Sequence, residues 1–307
     1  MGVDGNDTLS DCDWLPAAPD TALRRILGGD EPEHPRSQTE LLASLRAKLK
    51  MWLPFLAAVL LPVCTALVSR YHRRLIRFYH QRFLSWLRTR LTGISREERA
   101  FRYVLMNSTH GKAESVLSTL DEWCCKFECV TNTGPEKGQI LSSVVQRLTP
   151  VSVLQLGTCC GYSAICITRL LIPGAKLYTL EQDPQTADVA EEMMLVAGLK
   201  HTQFQVITGS APEAIPRFKP LLGVETFDFV FLSRGQGADH LRDLRLLENE
   251  RLLCKGSVIL ANSVTHPGAA AFLHSVRSDP RYLTSFYPCS APYEKDIPDG
   301  MEELAIL

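Results

Sequence analysis

The sequence lacks a surplus of either charge sign: 33 Lys and Arg stand against 34 Asp and Glu, a formal net charge of −1 at pH 7. That balance argues against a nucleic-acid role, because phosphate contacts draw on an excess of Lys and Arg. With 19 glycines and 18 prolines the chain is too poor in both for a collagen-like protein, and 45% hydrophobic residues exclude a wholly disordered one. It has only one long uncharged apolar run, which excludes a multi-span membrane protein. Its 10 cysteines, among them the neighbours Cys124 and Cys125 and the neighbours Cys159 and Cys160, follow no framework spacing and read as reduced thiols. No Cys/His set has zinc-site spacing. The 307 residues suit one α/β domain of roughly 200 residues plus a substantial extension.

What is present divides by charge. Residues 1–50 hold 6 basic and 9 acidic side chains, residues 69–102 hold 10 and 2, and residues 103–307 hold 17 and 23. Between the first two segments lies WLPFLAAVLLPVCTALV, Trp52 to Val68, without a charge. Cations bracket it on both sides (Arg46, Lys48 and Lys50, then Arg70, Arg73, Arg74 and Arg77), as a core helix rarely is, and no small-residue cleavage site follows. Residues 51–69 are therefore expected to form a single transmembrane signal anchor. Six Lys/Arg on the C-terminal flank against four on the other place the following domain on the cytoplasmic face of a membrane, expected to be the endoplasmic reticulum. Residues 1–50, rich in Asp, Pro, Gly and Ser, are expected to be a disordered acidic extension that Met51 makes dispensable. Asn6 with Thr8 forms a glycosylation sequon that matters only if this end is luminal. In residues 70–94, Leu75, Tyr79, Phe83, Leu87 and Leu91 recur every four residues among arginines. That pattern suits a basic amphipathic helix, either on an anionic leaflet or packed on the domain as a linker.

From residue 95 to 307 helical patterns come first, in ERAFRYVLMNS, SVLSTLDEWCCKFE and KGQILSSVVQRL. Short apolar runs then alternate with helix-length segments: Val151–Leu156, Lys176–Leu180, Gln203–Ile207, Phe227–Leu232 and Ser257–Ala261. This order implies βαβ units and a parallel sheet covered on both faces, with ligands at the carboxyl ends of the strands. The first run leads into LGTCCGYS, in which Gly157 and Gly161 let the backbone turn sharply and approach a ligand. The second ends in Glu181, a carboxylate able to accept from both hydroxyls of an adenosine-type ribose. One glycine four residues after another departs from the GxGxxG fingerprint and favours S-adenosylmethionine over a nicotinamide cofactor, since the former has no pyrophosphate to cradle.

LQLGTCCGYSAICITRLLIPGAKLYTLEQDP resembles the nucleotide-binding segment of catechol O-methyltransferase, and VTNTGPEKGQI, FDFVFLS and LLCKGSVILANSVTHPGAAAFL extend the similarity over residues 95–307. The anchor followed by GISREERAFRYVL resembles the transmembrane branch of that family. The resemblance implies a class I S-adenosylmethionine-dependent methyltransferase: a Rossmann-like, seven-stranded, mostly parallel sheet whose last strand pair is antiparallel. By position it implies cofactor contacts from Asn132, Thr133, Gly157, Tyr162, Ser163, Glu181, Gln182, Ser210, Ala211 and Ser233, with Gly209 beside the adenine. Gln155 and Cys159 stand where family enzymes carry Glu and Tyr.

The catalytic positions depart further. Family enzymes hold magnesium with two aspartates and an asparagine and use a lysine as base; the corresponding positions here carry Ser233, Asn262, Ser263 and, for the base, Gln236. A hard cation needs oxygen ligands that usually include carboxylates, so tight magnesium binding is not expected, and glutamine is no general base. Asp239 and His240 lie close enough in sequence to substitute as bases, and the carboxylate that clamps the second catechol oxygen falls near Tyr293 or Glu294. Two functions follow from the resemblance. One is a membrane-anchored methyltransferase acting on a catechol or phenol. The other is a catalytically impaired relative serving as an assembly or trafficking factor for a membrane channel protein.

Overall fold

The computed structural model describes residues 83–130, 133–233 and 238–307, together with Trp52, Ala58 and residues 60–65. Asn132, Gln236 and most of the expected anchor lie outside the described residues. Among the described residues no helix is long and apolar enough to cross a membrane. The chain divides into two units, Met1–His72 and Arg73–Leu307, and the fold belongs to the second.

Helices α1 (Ser85–Thr92), α2 (Arg96–Asn107), α3 (Ala113–Lys126) and α4 (Gly134–Leu148) precede the sheet. Strands and helices then alternate: β1 (Ser152–Leu156), α5 (Tyr162–Thr168), β2 (Lys176–Glu181), α6 (Pro184–Val196) and β3 (Phe204–Thr208). After the short α7 (Ala211–Ala214) and α8 (Phe218–Leu222) come β4 (Phe229–Leu232), α9 (Ala238–Asn249), β5 (Val258–Ala261) and α10 (Ala270–Ser278). A hairpin of β6 (Tyr282–Ala291) and β7 (Glu294–Ile306) ends the chain. Local signals account for two of these starts. Ser95 caps α2 by accepting from the Glu98 amide, and Asp183 caps α6 by accepting from the Thr186 amide just after Pro184.

The seven strands run in the order β3-β2-β1-β4-β5-β7-β6, parallel from β3 to β5 and antiparallel at β7 and β6. Alternation along the buried strands sends Val153, Leu177, Phe229 and Phe231 to the face covered by α3–α6. Leu154, Leu156, Val230 and Leu232 face the other layer, with Phe218, Leu244 and Phe272. The chain reverses direction across the sheet between β1 and β4, the crevice where such sheets bind ligands. Register makes that crevice sharp: Leu156 lies opposite both Leu180 and Leu232, and Leu232 opposite Ala261. Gly157, Glu181, Ser233 and Asn262, each the last or next residue of its strand, therefore share one edge.

A buried carboxylate fixes the start of the domain. Glu128 is 1% exposed and accepts hydrogen bonds from Ser85 Oγ at 2.9 Å, Arg88 at 2.6 Å and Arg99 at 2.6 Å. Burial pushes its pKa up, but the bonds from Arg99, Arg88 and Ser85 outweigh it and hold the carboxyl below its ordinary range. The described end of the basic segment is thus tied to the domain as α1. Glu128→Ala strands a mostly buried Arg99 and is expected to cost about 3 kcal/mol, a fall in Tm of roughly 6–12 °C; a Tm within a degree of wild type contradicts the assignment. Because this pKa is lowered, the stabilisation is complete above the ordinary carboxylate range and is lost as pH falls through the lowered value. Acid titration followed by limited proteolysis at α1 checks it.

Candidate functional site

The turn from β1 to α5 is shaped by left-handed backbone at Gly157 (φ 95°), Cys159 (φ 50°) and Gly161 (φ 86°). Only glycine adopts such angles without cost, and at Gly161 a Cβ would also come within 3.2 Å of the Ala190 carbonyl on α6. Glu181 holds this turn from the end of β2. One carboxylate oxygen accepts from the amides of Thr158 at 3.1 Å and Cys159 at 2.8 Å, the other from Gln182 at 2.8 Å and Asp183 at 3.3 Å. A single carboxylate at the switch point thus orders both the glycine turn and the start of α6, in a partly exposed position.

Beneath the turn, Gln155 is fully buried and donates to the Gly157 carbonyl at 2.7 Å and to Ser163 Oγ at 2.9 Å. Its Oε1 finds no partner among the described residues, and neither does the buried Thr133 Oγ1 at the start of α4. Tyr162 is buried, packs against Gly138 of α4 and donates from its hydroxyl to Asp121 at 3.2 Å. Across β3, Ser210 bonds to Glu213, Ala211 is buried as the first residue of α7, and the Gly209 amide continues the ladder to the Glu181 carbonyl at 2.8 Å. The sheet edge thus brings Gly157, Glu181, Gln182 and Gly209 together, with Tyr162 and Ser163 opening α5 behind them.

At the other end of the crevice the Ser233 amide donates to the Leu156 carbonyl at 3.0 Å and the Asn262 amide to the Leu232 carbonyl at 2.9 Å. Ser263 follows in a left-handed conformation, φ 55°. Both expected ligand side chains of this pair are already engaged by Lys137, from the first turn of α4. Its ammonium donates to Asn262 Oδ1 at 2.9 Å, Ser263 Oγ at 2.8 Å and Asp299 Oδ2 at 2.5 Å, with the lysine 1% exposed. Asp299 Oδ1 accepts from Thr265 Oγ1 and the Gly300 amide, each at 2.8 Å. Burial pushes the Asp299 pKa up, but its bonds to Lys137, Gly300 and Thr265 prevail and lower it. Magnesium takes about six oxygens at roughly 2.0–2.1 Å, carboxylates among them in protein sites. The three expected positions offer only neutral oxygens, two of them facing an ammonium, so this donor set does not fit magnesium. Among the described residues no group of three or more His, Cys, Asp or Glu is placed to hold a metal ion.

The two substitute bases are committed elsewhere. His240 is 1% exposed, its Nε2 lies 2.8 Å from the Asn262 carbonyl, and burial lowers its pKa, so it is neutral near pH 7. Asp239 pairs with Arg242 at 2.9 Å. Tyr293, one of the two positions (with Glu294) near which a clamping carboxylate was expected, donates its hydroxyl to Asp121 at 2.7 Å. Burial raises the Asp121 pKa despite the bonds from Tyr293 and Tyr162. Lys137, Asp299 and Asp121 were not anticipated from sequence. Lys137 had a readable signal: it stands on the stripe of α4 that continues in Leu141, Val144 and Val145, where a cation demands a buried partner.

The O-methyltransferase family model matches residues 107–277. Transmembrane O-methyltransferase from Homo sapiens is 37% identical over 284 residues, covering 92% of this chain and 97% of that protein. Catechol O-methyltransferase B from Danio rerio is 41% identical over 218 residues, 71% of this chain and 81% of that protein. Among solved structures, an O-methyltransferase from Bacillus cereus in complex with SAH superposes with a TM-score of 0.54 at 22% identity, covering 64% of this chain and 90% of that one. Another, from Streptomyces achromogenes in complex with SAM, gives 0.54 at 21%, covering 69% and 99%. At these identities the likeness to the solved structures is one of fold. The sequence relatives carry more: the chain belongs to the O-methyltransferase family, with the catechol and transmembrane O-methyltransferases as its relatives.

Proposed function

We propose that the protein is a membrane-anchored, S-adenosylmethionine-binding O-methyltransferase that acts on a phenolic or catecholic hydroxyl, its metal-ligand and general-base positions having lost their carboxylates and lysine. The observation that carries this reading is the glycine turn held by Glu181 at the switch point. The turn brings the backbone of Gly157, without a side chain, to the switch point, and in this reading the carboxylate stands where a ribose would present two hydroxyls. Thr133 Oγ1 and Gln155 Oε1, buried without partners among the described residues, are further groups that a polar ligand or ordered water would satisfy. Relatives of the same fold solved with SAH and SAM support the choice of cofactor.

When bound, S-adenosylmethionine supplies an electrophilic methyl group that an in-line oxygen can take. In this reading Glu181 orients the ribose, and the 157–163 turn lies against the cofactor with Tyr162 and Ser163 behind it. Positioning does much of the catalytic work, since proximity supplies up to about 7–11 kcal/mol of a bimolecular barrier. The anchor reading rests on the uncharged run 52–68 and its flanking cations, and on relatives named transmembrane. With it go an endoplasmic-reticulum membrane and a cytoplasmic domain.

A second reading, an assembly or trafficking factor for a membrane channel protein on a catalytically impaired methyltransferase fold, is favoured by one observation. No described residue near Ser233, Asn262 and Ser263 is both basic and uncommitted: Lys137 donates all three of its hydrogens and His240 is buried.

Two measurements separate these readings. Glu181→Ala is expected to weaken S-adenosylmethionine binding about 100-fold by calorimetry, since two hydrogen bonds to a charged group are worth about 3 kcal/mol or more. Affinity unchanged in a variant with wild-type circular dichroism contradicts the assigned pocket. With catechol present, methylated product seen by mass spectrometry for wild type and absent for Glu181→Ala supports the enzyme; binding without product supports the assembly factor.

A further inference from the structure

We infer that the Lys137 ammonium occupies the side-chain oxygens of Asn262 and Ser263 and leaves Ser233, Asn262 and Ser263 unable to hold a divalent metal. A lysine ammonium has three donors and no acceptor. All three are spent here on Asn262 Oδ1, Ser263 Oγ and Asp299 Oδ2. The two neutral oxygens therefore turn their lone pairs toward a positive charge that is already in place.

Charge and geometry then act together. A magnesium ion bonded to Asn262 Oδ1 at about 2.1 Å would lie within roughly 5 Å of Lys137 Nζ, which is 2.9 Å from the same oxygen. Two positive charges that close repel strongly in a buried setting. Asp299 neutralises one charge and no more, and its second oxygen is taken by Thr265 and Gly300. His240 adds no negative charge: it is buried and contacts the Asn262 carbonyl from below. The remaining expected ligand, Ser233, is also neutral. The lysine ties α4 to the end of β5 and to β7 across 125 and 162 residues of sequence.

The inference deepens the reading of the same site, but cation binding and stability test it apart from methyl transfer, so the two can fail separately. The full chain, purified in detergent micelles, is titrated with Mn2+ as a magnesium probe and followed by electron paramagnetic resonance. Its Tm is measured in MgCl2, MnCl2 and EDTA. Wild type is expected to show no bound Mn2+ that depends on Asn262, and a Tm that is the same in all three solutions. Lys137→Met is expected to lower Tm by roughly 6–12 °C in EDTA. MnCl2 should recover part of that loss, because Asp299 then faces two neutral oxygens and an open position. Lys137→Met combined with Asp299→Asn should lose the Mn2+ response. A stoichiometric Mn2+ site in wild type that Asn262→Ala abolishes overturns the inference even if no Lys137 variant folds. So does a folded Lys137→Met protein whose Tm ignores Mn2+.

Discussion

The ion pair of buried Lys137 with half-buried Asp299 is the constraint on which the architecture of the pocket rests. Desolvating two charges is tolerated only when every polar atom of the pair is satisfied. Here the ammonium has three acceptors, and the carboxylate adds the Thr265 hydroxyl and the Gly300 amide. That requirement locks the first turn of α4, the left-handed Ser263 after β5, and β7 into one geometry. Around it the hairpin closes over the start of α4: Gly134 lies so near Pro292 that a Cβ would come within 3.1 Å of the proline ring, and the Ser290 amide donates to Glu136 at 3.0 Å. Thr133, whose hydroxyl has no partner among the described residues, sits at that same helix start.

The crevice consequently has two ends of different character. Near β1 and β2 a carboxylate faces backbone amides and remains partly exposed, an environment suited to donors from a ligand. Near β4 and β5 two neutral oxygens and the Asp299 carboxylate surround a buried cation, an environment that we infer rejects a second one. The first end carries the glycine turn and the acid proposed to hold the cofactor. The second carries the neutral side chains of Ser233, Asn262 and Ser263, so membership of the family does not by itself establish catechol methylation by a metal-assisted route.

Most of the fold was legible in the sequence because fully buried parallel strands leave unbroken apolar runs. The run Phe227–Leu232 became Phe229–Leu232 and Lys176–Leu180 became Lys176–Glu181, differences confined to strand ends, where the last ladder bond decides. The turn and the acid that we propose hold the cofactor were legible too, since a glycine turn and an acid at the next strand end are both local signals. The other end was not. Lys137 and Asp299 are 162 residues apart, and no periodicity announces that a lysine on an apolar helix stripe will meet an aspartate in the final hairpin. Asp121 was hidden likewise, because its tyrosine partners come from α5 and from the β6–β7 turn. The substitutes His240 and Asp239 were plausible by sequence distance alone. Burial, a tertiary fact, removes His240, whereas Asp239 is engaged by Arg242 three residues on along the same helix.

The central claim, a retained cofactor end beside a site whose cation is a lysine, is tested most directly by crystallography of the full chain grown with SAH and MnCl2. Anomalous data collected at the manganese edge locate any bound ion. The account predicts SAH over the 157–161 turn with its ribose on Glu181, Lys137 within hydrogen-bonding distance of Asn262, Ser263 and Asp299, and no anomalous peak beside them. A manganese peak bonded to Asn262 or Ser263, with the Lys137 side chain turned away, would contradict it.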